Sequence, residues 1–222
     1  YVAAEDELLP DELARLSIVL TGRRDAGHGD NASSLDYLDL KGVLDSLFDD
    51  LHVPVTYEAA RHPGFRPGRV ARLSVGDKHI GHAGELHPGV GKGFDLRIER
   101  GQPVLAADLD LETILPLIPD SHRITPLSPY PPVREDLALV VDRSVPAATV
   151  ESALRQNGGA LLTDVALFDV FEGDTLPQGK KSLAFHLTFQ APDRTLTDKD
   201  VSKLRGRILR ALDQQLAAKL RE

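Results

Sequence analysis

The stretch 167–173, LFDVFEG, sets an aspartate between two phenylalanines in what reads as a β-strand. Side chains alternate between the faces of a strand, so Asp169 and Phe171 are expected on one side, with Phe168 and Val170 packed on the other. An acid beside a ring has a definite use. The ring can stack an unpaired nucleic-acid base, and the carboxylate accepts hydrogen bonds from amino and imino groups, which favours guanine. Stacking contributes about 1–3 kcal/mol per base. An ordinary sheet surface with one exposed ring, or a face covered by another domain, would carry the same residues, and the pattern alone leaves these readings open.

Other constellations are weaker. His79, His82 and His87 fall in HIGHAGELHP, but on a strand positions 79 and 82 should face opposite ways, so a structural role is expected and no metal site. GVGKG (89–93) lacks the spacing and the Ser/Thr of a phosphate loop. No G-x-S-x-G or H-E-x-x-H occurs. With no cysteine there is no disulfide or thiolate chemistry, which suits a reducing compartment. The expectation is a chain with no catalytic residues, no metal and no bound cofactor.

The elements that position Asp169 and Phe171 are regular. EDLALVVD (135–142) alternates as a strand. VPAATVESALRQNGG follows as a helix with Pro146 at its start and Gly158–Gly159 at its end. The strand at 162–173 comes next. KSLAFHLTFQ (181–190) returns, with Leu183, Phe185, Leu187 and Phe189 on one face and Ser182, Ala184, His186 and Thr188 on the other. Thr197 with Asp200 reads as a capping box for a helix carrying Val201, Leu204, Ile208, Leu212 and Leu216, and AKLRE can supply a last strand. The order β-α-β-β-α-β is the ferredoxin-like arrangement. Its open sheet face holds Asp169, Phe171, His186 and Thr188.

Upstream, RLSIVLTG reads as a strand, and residues 34–51 as a helix with Leu40, Val43, Leu44, Leu47 and Leu51 on one stripe. Further antiparallel strands follow, two of them turning at Gly76–Asp77. This first sheet is expected to be incomplete, and Tyr1 without a Met suggests a piece of something longer. Six of the fifteen prolines lie in 116–132, which reads as an extended linker. The expected division is 1–118, a linker at 119–133, and 134–222. The net charge of −8 arises entirely in residues 1–126, with 13 Lys/Arg against 21 Asp/Glu, while 127–222 hold 13 of each. Such a balance argues against general coating of nucleic acid but permits one local RNA surface. No run of about eighteen apolar residues is present, so no membrane span is expected.

YPPVREDLALVV, LFDVFEG and LPQGKKSLAFHLTFQAPDRTLTDKDV, from Tyr130 to Arg221, resemble the C-terminal ferredoxin-fold anticodon-binding domain of the bacterial phenylalanine–tRNA ligase beta subunit family. LTGRR, DYLDLKGVLDSLF and GHAGELHPGVGKGFDL, within 16–118, more loosely resemble the second half of that subunit's class II catalytic-like domain. The resemblance implies an α+β chain. It would be the non-catalytic C-terminal part of an ATP- and Mg²⁺-dependent cytoplasmic ligase assembled as (αβ)₂, with the active site in the alpha subunit. Its implied partners are tRNA(Phe) and that alpha subunit, with no DNA or membrane partner. An Asp-x-aromatic pair that contacts the first anticodon base, a guanine, maps onto Asp169 and Phe171. His186 on the same face and Arg134 at its border complete the expected anticodon-binding set. Phe171 keeps the ring but lacks the hydroxyl of the tyrosine often found there. Glu135 stands where the family commonly has a second basic residue after Arg134. Two other readings stay beside this one. One is a purely architectural fragment without RNA contact; the other, a small ferredoxin-like enzyme, lacks an asparagine suitably placed for a phosphate cradle.

Overall fold

A computed structural model describes residues 12–24, 33–96, 101–121, 128–173 and 175–221. They divide into two compact units, Tyr1–Arg123 and Ile124–Glu222. Part of the proline-rich stretch, 122–127, lies outside the described residues. Ser128 already belongs to the second unit, where its hydroxyl donates to the Ala191 carbonyl at 3.1 Å.

In the first unit the elements are β1 (Arg15–Leu20), α1 (Tyr37–Asp50), β2 (Thr56–Ala59), β3 (Phe65–Val75), β4 (Lys78–Leu86), α2 (Pro88–Gly93), β5 (Leu105–Asp110) and α3 (Leu111–Ile114). The strands form one antiparallel sheet in the order β1-β5-β4-β3-β2. Val75 pairs with Lys78 across the expected Gly76–Asp77 turn, where Gly76 takes a φ of 55°. Asp36 caps α1 in a capping box with Asp39, and Arg24 bridges both carboxylates. Leu40, Leu44 and Phe48 of α1 meet Leu73, Ile80, Leu105 and Leu109 of the sheet. Phe48, one turn beyond Leu44, completes that line. Val43 sits on the flank of the helix and stays 43% exposed.

The second unit runs β6 (Val133–Asp142), α4 (Ala147–Gly158), β7 (Leu162–Phe171), β8 (Lys180–Phe189), α5 (Asp198–Leu216) and β9 (Lys219–Leu220). Its antiparallel sheet has the order β7-β8-β6-β9. This is the βαββαβ order read from the sequence, with both helices packed on one face. Leu137, Leu139 and Val141 of β6, with Leu183, Phe185, Leu187 and Phe189 of β8, are buried against Val150 and Leu154 of α4 and Val201, Ile208 and Leu212 of α5. Thr197 and Asp200 form the expected capping box on α5. Arg207 of α5 donates to the Asn157 and Gly158 carbonyls at 3.0 and 2.9 Å, satisfying acceptors at the end of α4 and tying the helices together. Among the described residues the other sheet face bears no helix of this unit.

Candidate nucleic-acid interface

Cross-strand register decides which side chains share the helix-free face. On β8 they are Ser182, Ala184, His186 and Thr188, alternating with the buried set. Asp169 pairs with Ala184 and Phe171 with Ser182, so both point to that face, as expected. From β6, Arg134 pairs with Thr188, Asp136 with His186 and Ala138 with Ala184. The four expected residues, Arg134, Asp169, Phe171 and His186, therefore share one surface.

Phe168 departs from the expected alternation. Leu167 pairs with Phe185 and Asp169 with Ala184, so Phe168 is an extra residue at a β-bulge. It is not packed under the helices. Its ring stacks on His186 with centroids 3.9 Å apart and planes at 13°, and it is 49% exposed. Val170 does pair with Leu183 on the helix side, yet at the sheet edge it remains 52% exposed.

His186 is held from the opposite side. Its Nδ1 lies 2.6 Å from Asp136 Oδ1, so the ring is fixed between a carboxylate and Phe168. Phe171 is held differently. The Arg221 guanidinium lies 4.7 Å from its ring centroid, a cation–π distance. Arg221 follows β9, and its amide donates to the Ala138 carbonyl at 2.9 Å. Gly173 makes room for the ring: a Cβ at that position would come within 2.7 Å of Phe171 Cζ. Ser182, opposite Phe171, is only 2% exposed although it lies on the open face.

Asp169 stands between these two aromatic groups with Ala184 and Ala138 beside it across the sheet. Among the described residues its side chain has no hydrogen-bond or ion-pair partner, and neither has that of Arg134. An exposed carboxylate with unused acceptors next to two ring systems can bond the edge of a base while a ring stacks its face. Phe168 and Arg221 are the residues that strand alternation missed. A bulge brings in the first, and a two-residue strand places the second.

His79 and His82 lie on the same side with ring centroids 4.7 Å apart, and His62 sits 4.7 Å from His82. The expected opposition fails because Leu73 pairs with Gly81 and Ser74 with His79, leaving Ile80 as an extra, buried residue. Among the described residues no group of three or more His, Cys, Asp or Glu is arranged to hold a metal ion. A cavity of about 610 Å³ is lined by Tyr37, Lys41, Tyr57 and Glu85 among others. Of its polar groups, Glu85 pairs with Arg66 and Arg69, and Tyr57 donates to Asp45. Among the described residues no helix is long and apolar enough to cross a membrane.

Comparison with known families covers both units. Residues 128–221 match the family described as ferredoxin-fold anticodon binding domain, and residues 1–111 match phenylalanyl tRNA synthetase beta chain CLM domain. Among curated proteins, the chain is 39% identical over its whole length to the phenylalanine–tRNA ligase beta subunit of Geobacillus kaustophilus, of which it covers 27%. It is 41% identical over 96% of its length to the same subunit of Moorella thermoacetica, covering 26% of that protein. For Nocardia farcinica the values are 39% identity, 96% of this chain and 25% of the relative. The chain thus spans about a quarter of the length of the curated relatives it matches.

Proposed function

Since the chain belongs to the phenylalanyl-tRNA synthetase beta chain family and contains its ferredoxin-fold anticodon binding domain, we propose that the helix-free face of the second unit binds the anticodon of tRNA(Phe). Asp169 accepts hydrogen bonds from the N1 and N2 donors of the first anticodon base, guanine, and Phe171 stacks that base. Arg134 and Arg221 neutralise the loop's phosphates, and His186 lines the site. The observation that carries this reading is the unpartnered Asp169 carboxylate between the Phe168–His186 and Phe171–Arg221 pairs.

The same reading assigns the second unit, expected at 134–222 but already entered at Ser128, to the anticodon-binding domain, the stretch before it from 119 to a linker, and 1–118 to the second half of a catalytic-like domain that supports assembly. The segment performs no chemistry of its own. It serves a cytoplasmic ligase that attaches phenylalanine to tRNA(Phe) with ATP and Mg²⁺, in an (αβ)₂ enzyme whose alpha subunit carries the reaction. The test is Asp169→Ala. A loss of about 1–3 kcal/mol in binding an anticodon stem–loop with guanine first, and little loss for a loop with that base changed, supports the assignment. Equal binding of both loops by parent and variant contradicts it.

A further inference from the structure

A bulge that turns a phenylalanine out of a core is unusual in cost and in consequence. At 49% exposure, Phe168 keeps half its apolar surface in water, and the extra residue disrupts the β7–β8 ladder locally. What is gained is a flat pair: Phe168 parallel to His186, with His186 locked by Asp136. The pair is separate from Phe171. His186 lies four residues along β8 from Ser182, the partner of Phe171, or roughly 13 Å at 3.3 Å per residue. The row between them contains Asp169, Ala184 and Ala138, and the two alanines leave its floor low.

We propose that the Phe168–His186 pair is a second stacking platform. It takes another unpaired base of the same loop, so that the face holds two bases rather than one. This rests on the anticodon reading of the face and deepens it. Stacking is the fitting chemistry because a π-surface accepts any base. The platform therefore adds affinity, while discrimination stays with Asp169. The Asp136–His186 hydrogen bond makes His186 a positioning partner that keeps the ring plane parallel to Phe168.

The test is a set of double-mutant cycles with the 222-residue chain and stem–loops carrying the GAA anticodon, in which single anticodon bases are replaced by abasic sites. In the parent, removing the second or third base should weaken binding about 5- to 150-fold at one of those positions. In Phe168→Ala that same removal should cost little more, and Phe168→Tyr should restore the parent behaviour. Thermal melting establishes that each variant is folded. Independent, additive losses at both positions would overturn the second platform. A parallel cycle between Phe171→Ala and the first base tests the underlying reading. Coupling there with additivity at Phe168 leaves the anticodon reading standing and removes only the platform. No coupling at either site, or no binding of any loop, removes both.

Discussion

Arg221 lies over the ring of Phe171, its guanidinium carbon 4.7 Å from the centroid, although the two residues come from opposite edges of the four-stranded sheet. The two side chains reach toward each other across the helix-free face between β9 and β7. A cation is thereby brought to the ring proposed to stack the first base. Arg221→Ala should weaken stem–loop binding and lower the salt slope of log K by about one, as expected for one lost phosphate contact. Titrations at two or more salt concentrations measure this; an unchanged slope would show that Arg221 serves the ring alone.

Gly173 gives a subtler handle on the same ring. A Cβ there would meet Phe171 Cζ at 2.7 Å, so Gly173→Ala must displace the ring. The expected outcome is weaker binding of the guanine-first loop with a melting temperature close to that of the parent. Parent-like affinity would mean that the ring's position is immaterial to binding.

The placement of Phe168 predicts a contrast in stability. Phe185 is fully buried in the β8 core row, and Phe185→Ala should cost about 3–5 kcal/mol. Phe168→Ala, on the helix-free face, should cost well under half of that. Denaturant unfolding of the two variants decides it, and comparable losses would put Phe168 back in the core.

Most of the second unit was legible in the sequence, and the strand residues misplaced in the two units share one cause. The alternating rows of β6 and β8, the Thr197–Asp200 capping box and the placement of Asp169 and Phe171 follow from period and cap chemistry, which are local. Phe168 on β7 and Ile80 on β4 could not be placed that way. Each is an extra residue at a bulge, and one extra residue moves its neighbours to other faces than strict alternation predicts. The same effect brings His79 and His82 together. Arg221 was hidden for another reason: its reach to Phe171 depends on the spatial order of β7 and β9, which local pattern does not contain.

The histidines predict a pH effect. Burial first, and then the neighbouring His79 and His62, hold His82 below its ordinary value of 6.5. A base with a lowered folded-state pKa binds more protons when unfolded, so stability is complete above about pH 6.5 and falls as the pH drops through and below that value. Melting temperatures across this range should decline for the parent and decline less for His82→Gln. Equal declines would assign the effect to other groups.

The central claim is met most directly by binding of the 222-residue chain to two anticodon stem–loops at near-physiological salt. One carries GAA, and the other differs only in its first base. Preference for the GAA loop, lost in Asp169→Ala, is the predicted result. Binding of neither loop, or equal binding of both, would contradict base reading by this face and favour a purely architectural segment.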